Sequence, residues 1–183
     1  VDADLDAVAA LAGLATDAAR SRIDELFLSR LVDEPTYGRF RMHNLLRAYG
    51  RHLFDNRPAD EREQCLRRLR DHYLRAVLRA NRALARDGRQ RSTSLVDEAL
   101  TWLDQERENL LACADQAIVT ASDDSWVIRF AEAIAAYLRR LGLIPFALHL
   151  HQHAATAART TGDAEAEATA LRHLAAARRV SGD

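Results

Sequence analysis

The sequence predicts a mainly all-α protein, and three observations lead to this fold class. Only 7 Gly and 3 Pro occur among 183 residues, so turns are few and short. Apolar residues recur at helical spacing along most of the chain. Hydrophobic residues make up 48% and aromatic residues only 6%, and alanine, the residue of highest helix propensity, is abundant. Such a composition is typical of helices whose backbones pack closely.

The first 29 residues predict two helices joined by a short turn. The first runs from Asp4 to Ala12, and Gly13 ends it. Thr16 or Asp17 can cap a second helix, which continues to about Ser29, because their side-chain oxygens accept free backbone N–H groups. This arrangement has the geometry of a helix-turn-helix.

A small β-hairpin follows, with strands at residues 31–34 and 39–42 and a turn from Pro35 to Gly38. A helix pair followed by a two-stranded wing predicts a winged-helix domain, which we assign to residues 1–56. Asn44 is expected to cap the next helix, which reaches about Phe54. Its predicted inward-facing side chains are Leu45, Leu46, Tyr49 and Leu53.

The middle of the chain, residues 57–121, predicts a helical linker or arm. A long helix extends from Asp60 to near Gly88 with a continuous apolar stripe, and a polar loop follows over residues 89–94. Ser94 or Asp97 can cap the next helix, in which a break near residues 104–107 is expected. A second polar loop covers residues 122–125.

The last third is periodic. Gly142, Gly162 and Gly182 lie 20 residues apart, and each is expected to end a helix by adopting the left-handed conformation. Two such helices form a unit of about 40 residues, which predicts a tetratricopeptide-like α-solenoid over residues 122–183. Both ends of the chain look like cuts in a longer protein, with more repeats expected beyond residue 183. The predicted helices cover residues 126–141, 144–161 and 164–181.

Charge and apolar content limit the environment of the chain. Residues 1–56 carry a net charge of −2, residues 57–91 carry +6, and residues 92–183 carry −5. No apolar run approaches the ~18 residues of a membrane span, and no signal peptide is visible. Cys65 and Cys113 have no CxxC spacing and are expected to be core residues in a reducing cytosol. The sequence therefore predicts a cytoplasmic protein with no membrane contact.

The residues from Phe40 to Tyr49 read Phe-Arg-Met-His-Asn-Leu-Leu-Arg-Ala-Tyr, and residues 99–110 contain Trp-Leu-Asp, Glu-Arg and Asn-Leu in that order. In their order and spacing, these motifs resemble the STAND (NB-ARC) regulatory ATPases, and in particular the bacterial SARP-type transcription regulators. Those proteins carry a Met-His-Asp motif in the winged-helix domain and tetratricopeptide repeats after it. The resemblance covers nearly the whole chain.

The resemblance implies that His43 contacts the phosphates of ADP held in a neighbouring nucleotide-binding domain. An imidazole N–H can donate to a phosphate oxygen, so His43 would act as a nucleotide sensor and not as a catalyst. The sequence departs from the motif at Asn44, where the family has Asp, which puts any role of that negative charge in doubt. The alternative is that His43 only packs or bonds at the junction between wing and helix.

Apart from the implied phosphate contact of His43, no catalytic site and no nucleotide-binding motif is predicted within the chain. There is no GxxxxGK[ST] motif and no lysine to complete one, so we expect no enzyme activity, and ADP or ATP would belong to the parent protein. His149 and His153 are four residues apart with His151 between them, but no further ligand completes a metal site. These histidines are expected to form a surface cluster.

A stripe of arginines on the long helix is a candidate contact surface. It could bind nucleic acid or an acidic protein face, but a solvated face paired with acids of the C-terminal part is the preferred interpretation. The stripe comprises Arg75, Arg79, Arg82 and Arg86.

The leading hypothesis is a signalling fragment of a STAND-type transcription regulator. Its winged helix would sense the nucleotide state of an ATPase domain in the same polypeptide, and its helical repeats would bind a protein or effector partner. DNA would be bound by another domain. Two alternatives are a winged helix that reads DNA directly, although its candidate recognition helix has a net charge of −1, and a protein-interaction scaffold with no link to nucleotide.

Overall fold

The computed structural model describes residues 2–86, 93–120 and 123–182. Within these residues, eight helices accompany three short strands, which confirms the mainly all-α class with a small hairpin. The elements in chain order are β1 (Ala3–Asp4), α1 (Leu5–Ala12), α2 (Thr16–Leu28), β2 (Val32–Thr36), β3 (Arg39–Met42), α3 (Asn44–Asp55), α4 (Ala59–Arg86), α5 (Thr93–Thr120), α6 (Asp124–Leu141), α7 (Ile144–Thr161) and α8 (Ala164–Ser181).

The chain divides into two compact units, Val1–Tyr73 and Leu74–Asp183, and the division lies inside α4. The reason is that each half of α4 bonds within a different unit. Arg68 donates to α1, whereas the side-chain amide of Asn81 donates to the backbone oxygen of Ala133 in α6 at 2.6 Å. The domain boundaries after residues 56 and 121 remain predictions, because a compact unit is not by itself a domain.

The first unit contains a three-stranded antiparallel sheet of order β1-β3-β2. The hairpin was predicted, but β1 was not, because a two-residue strand has no periodicity to detect. Ala3 pairs with Phe40, and Val32 pairs with Met42, so β3 is the central strand. Phe40 is buried with Ile23 and Val32 in a core that joins the sheet to α2.

The wing differs from the prediction in the position of its turn. Pro35 lies inside β2 and not at the start of the turn, and the register shifts between Asp33 and Thr36. Proline has no N–H to donate, so it is tolerated where the ladder is interrupted. The turn itself contains Gly38, whose φ is +76° and whose N–H donates to the carboxylate of Glu34 at 2.7 Å.

The turn between α1 and α2 is held by an arginine from α4. Gly13 ends α1 as predicted, with a φ of +69°. Arg68 donates to the backbone oxygens of Ala10 and Leu11, each at 3.2 Å, and so adds side-chain donors to carbonyls in the last turn of α1. The predicted caps of α2 are wrong, since its N-cap is Ala15 and makes no side-chain bond.

In the second unit α5 is one continuous helix, so the predicted break near residues 104–107 is wrong. Leu103 and Leu110 are completely buried on either side of that point, and the helix continues unbroken between them. The predicted caps Ser94 and Asp97 lie inside α5. The predicted helix end near Gly88 and most of the loop at residues 89–94 lie outside the described residues.

Helices α7 and α8 have the predicted bounds, and α6 begins two residues earlier than predicted because Asp123 caps it through the backbone N–H of Trp126 at 2.9 Å. The three repeated glycines all adopt positive φ at the helix ends, which confirms their predicted role. The core of these helices is formed by fully buried side chains: Phe130, Ile134, Leu138 and Leu150.

Two further expectations can be compared with the described parts of the chain. Cys65 and Cys113 are both buried, as predicted, and within the described residues neither forms a disulfide. Across residues 2–86, 93–120 and 123–182, no helix has the length and apolar content needed to cross a membrane.

We predict that Gly13→Ala destabilises the first unit more than Gly38→Ala does. Both glycines have positive φ, but a Cβ at residue 13 would lie 2.8 Å from Cζ of Arg68, whereas nothing lies within 4 Å of one at residue 38. The free energy of unfolding, measured by urea denaturation, should fall by about 1 kcal/mol for Gly38→Ala and about 2–3 kcal/mol for Gly13→Ala. Equal losses would show that Arg68 does not constrain this turn.

Candidate functional site

The candidate site lies where β3 runs directly into α3. Met42 is still paired with Val32 in the sheet, and the next residue, His43, is already the N-cap of α3. No side chain caps this helix end, because His43 makes no capping bond. The first N–H groups of α3 therefore lack intrahelical partners and point toward the junction.

Asn44 does not have its predicted role at this junction. It is the first helical residue of α3 and not the cap, and its side-chain oxygen accepts a hydrogen bond from Arg47 at 3.0 Å. His43 takes the cap position because its backbone is extended, with φ −58° and ψ 151°. The side chain of Asn44 thus positions Arg47 and does not close the helix end.

His43 contacts the wing through an acidic residue. Its Nε2 lies 3.1 Å from Oδ2 of Asp33 on β2, and the two side chains are 72% and 47% exposed. Asp33 faces Arg41 in the strand register, and Arg41 is two residues before His43. Asp33 and Arg41 therefore start from the same face of the sheet, and His43 follows directly after the strand.

The junction forms an open hollow of about 610 Å³. Its charged or titratable lining residues are Arg41, His43 and Arg47, and no carboxylate lines it. Guanidinium groups, an imidazole and free helix N–H groups all donate hydrogen bonds, and the N-terminal end of a helix favours negative charge. This arrangement can bind an anion such as a phosphate. The complete lining is Arg41, Met42, His43, Asn44, Leu45 and Arg47.

Next to the hollow, α3 presents an apolar stripe to the outside. Leu45, Tyr49 and Leu53 were predicted to face inward, but they are 85%, 61% and 50% exposed. The side chains of Leu46 and Phe54 face inward instead, and both are half-buried. Because α3 is apolar on two sides, a periodic pattern alone could not show which side packs on its own unit. Three large side chains four residues apart are left uncovered.

The arginine stripe on α4 is also exposed. Arg75, Arg79 and Arg82 face solvent, and in the described part of the chain none of them makes an ion pair with an acidic residue. Exposure agrees both with a solvated face and with a contact surface, so that choice remains open, but the predicted pairing with acids is not found for these three. The side chain of Arg86 lies outside the described residues.

The histidines of α7 divide between surface and core. The rings of His149 and His153 meet edge to face, with centroids 4.7 Å apart. His151 was predicted to join this surface cluster, but it is 2% exposed and its ring stacks on His173 of α8 at 5.1 Å. The prediction failed because His151 lies on the opposite side of α7. Wherever the structure describes the chain, no three His, Cys, Asp or Glu side chains are placed to hold a metal ion.

Several residues of the Trp-Leu-Asp and Glu-Arg motifs have structural roles. The hydroxyl of Tyr137 donates to Asp104 at 2.8 Å and approaches the backbone oxygen of Leu103 at 2.9 Å. Burial and the neighbouring Asp104 raise the pKa of Tyr137, which keeps the hydroxyl protonated as a donor. Glu106 is fully buried and accepts a hydrogen bond from the side chain of Asn109 at 2.7 Å. These motif residues therefore stabilise the packing of α5.

Comparison with known proteins supports a regulatory class. The whole chain aligns with "Regulatory protein AfsR" of Streptomyces coelicolor at 30% identity over 199 residues, and 63% of it aligns with AfsR of Streptomyces griseus at 35% identity over 130 residues. The chain is similar to a segment of a bacterial regulatory protein. It spans 19% and 13% of the lengths of these two AfsR proteins. No family model matches the chain, and no solved structure matches it.

The similarity to AfsR agrees with the class of regulator that the motifs around His43 and Trp102 indicated. The residues that the structure brings together at the junction were only partly identified from sequence. Only His43 was predicted as a site residue; Arg41 and Arg47 belonged to the quoted motif without a role of their own, and Asp33 was assigned only to the strand. The signal that could have found Asp33 is its register opposite Arg41 in the predicted hairpin.

We predict that acidification destabilises the second unit through His151. Burial and the adjacent His173 lower the pKa of His151 from 6.5 to about 4 in the folded protein. Below pH 6.5 the unfolded chain binds a proton that the folded chain does not, so this stability is complete above pH 6.5 and is lost as the pH falls toward 4. Between pH 7.5 and 5 the loss should be about 2 kcal/mol in urea denaturation.

In His151→Leu this part of the pH dependence should disappear. The matched control is His52→Ala, which removes an exposed histidine and should keep the wild-type pH dependence. Identical pH profiles for wild type and His151→Leu would contradict the assignment.

Proposed function

We propose that this chain is the regulatory part of a bacterial transcription regulator of the STAND, SARP-like type. Its helix-turn-helix and wing form a winged-helix domain that senses the nucleotide held by an ATPase domain of the same polypeptide. The observation that carries this proposal is the hollow at the junction, where Arg41, His43 and Arg47 converge without a carboxylate in the lining.

The chemistry of the hollow favours a phosphate. Arginine can offer paired N–H donors to phosphate oxygens, and an imidazole N–H adds a single directed donor. The free N–H groups at the start of α3 add donors that do not depend on side chains. Because the hollow is open, a phosphate held by a second domain can enter it without displacing any buried group.

The apolar stripe of α3 explains how the second domain would be held. Leu45 lines the hollow and also begins the stripe that continues through Tyr49 and Leu53. A domain that covers this stripe therefore brings its own surface up to His43. The two AfsR proteins extend far beyond the aligned segment, which leaves ample sequence for such a domain in proteins of this kind.

The remaining parts of the proposal concern the helical arm and the reaction. The repeated helices α6, α7 and α8 would form tetratricopeptide-like units that bind a protein or effector partner. DNA would be bound by another domain of the parent protein. Nucleotide hydrolysis would also belong to the ATPase domain, and we assign no catalytic step to this chain. Its nucleotide contact would be to ADP or ATP held by that domain.

The test is the nucleotide content of the complete protein. We predict that His43→Ala lowers the ADP retained after purification, because a lost hydrogen bond to a charged phosphate weakens binding by about 10–100-fold. ADP is released by denaturation and quantified by chromatography. The control is His52→Ala, which removes an exposed histidine from the same helix, far from the hollow. Equal ADP content in wild type and His43→Ala would overturn the sensor role and would favour the interpretation of the chain as a protein-interaction scaffold.

Direct DNA binding is the second candidate function, and the observation that favours it is the exposure of Arg75, Arg79 and Arg82 on α4, which make no ion pair within the described residues. The helix-turn-helix itself argues against it, because its arginines are already paired within α2. Arg20 lies 3.0 Å from Asp24, and Arg22 lies 3.1 Å from Glu25. Phosphate contacts supply most non-specific DNA affinity, so these pairs reduce what α2 can contribute.

A gel-shift titration with a 20-base-pair duplex separates the two candidates. We predict no retardation at low salt for this chain, and the same result for Arg79→Gln. A shift that weakens steeply with salt and is reduced in Arg79→Gln, but not in Arg22→Gln, would instead establish DNA binding through the stripe.

A further inference from the structure

Asp33 is held beside His43 by the backbone of the sheet. Its register partner on β3 is Arg41, and β3 continues through Met42 directly to His43. No loop intervenes that could separate the wing from the start of α3. The 3.1 Å contact between Oδ2 of Asp33 and Nε2 of His43 is thus a consequence of strand pairing.

The carboxylate of Asp33 stands at the edge of a hollow whose own lining holds none. The side chain that it contacts there is His43, even though Arg41 is its register neighbour. A carboxylate and a phosphate are both anionic acceptors, and the Nε2–H of an imidazole can donate one well-aligned hydrogen bond at a time. The Asp33 carboxylate and an incoming phosphate therefore require the same atom.

We propose that Asp33 is a positioning residue that competes with the phosphate for Nε2 of His43. This inference rests on the proposed function, since it concerns the same hollow. Without phosphate, Nε2 of the ring lies 3.1 Å from the Asp33 carboxylate of the wing. When a phosphate enters, the ring releases Asp33 and donates to the phosphate, so the imidazole has two defined partners and the wing loses a contact with the start of α3.

The expected size of the effect follows from exposure. Both side chains of the pair are substantially exposed, and exposed ion pairs are weak because water and salt screen them. Removing the competing carboxylate should therefore strengthen phosphate binding by about 2–5-fold. The direction of the change in phosphate affinity distinguishes the two roles of Asp33. If Asp33 only supported the junction, its loss would weaken phosphate binding.

Glu34 provides a matched control, because it carries the same charge one residue further along the wing. Its carboxylate accepts from the backbone N–H of Gly38 at 2.7 Å and lies 4.0 Å from Arg20. The contacts of Glu34 are thus with α2 and the turn, whereas Asp33 contacts His43. Glu34→Gln changes the net charge equally and keeps an oxygen that can accept from Gly38.

The experiment titrates the 183-residue chain with sodium pyrophosphate and follows the NMR signals of residues 41–47, including the ring nitrogens of His43. In Asp33→Asn the dissociation constant should fall about 2–5-fold, while in Glu34→Gln it should fall by less than half as much. Before pyrophosphate is added, the Nε2 signal of His43 should already differ between wild type and Asp33→Asn, because its acceptor has changed. Urea denaturation checks that both variants are folded.

The outcomes separate this inference from the proposed function. Unchanged or weaker binding in Asp33→Asn, with wild-type binding intact, overturns the competition and leaves the phosphate site standing. Equal gains in both variants also overturn it, because the effect is then one of net charge. If neither wild type nor Asp33→Asn shows saturable shifts at residues 41–47, the proposal of a phosphate site is contradicted. The proposed competition is then contradicted as well, because it depends on that site.

Discussion

The candidate site depends on the central strand β3. It is paired on both edges, to β1 and β2, and its Phe40 is buried against Ile23 of α2 and Val32 of β2. Because α3 begins at the residue after His43, the position of this histidine is determined by strand register and by the core beneath it. The side chain of His43 is exposed and has few contacts, but this backbone support fixes its position. A site that senses a ligand held by another domain requires side chains in fixed positions.

The fold was predictable wherever local signals were strong. Gly142 and Gly162 end helices by adopting positive φ, and Pro145 at the start of α7 is compatible with the first helical turn, so these bounds could be read from sequence. The predictions from sequence were wrong where one pattern of apolar residues was compatible with two different packing arrangements. Leu45 and Tyr49 have the spacing of core residues, but they lie on the uncovered side of a helix that is apolar in two directions.

The same difficulty explains the histidines and the wing. His151 is two residues from both His149 and His153, which places it on the far side of α7, and only the packing of α8 shows that it is buried. The functional neighbours of His43 were missed because Asp33 is ten residues away and reaches it only through the strand register. Sequence could identify the histidine, but its partners are set by tertiary structure.

The central claim is that the junction around His43 faces the phosphates of a nucleotide bound by another domain. The most direct measurement is a structure of the complete protein with ADP bound, solved by cryo-electron microscopy or crystallography. The account predicts a ring nitrogen of His43 about 2.7–3.2 Å from a phosphate oxygen. It also predicts that Leu45, Tyr49 and Leu53 are covered by the nucleotide-binding domain. A structure in which the ADP phosphates are enclosed by other residues, while His43 stays on Asp33 in open solvent, would contradict it.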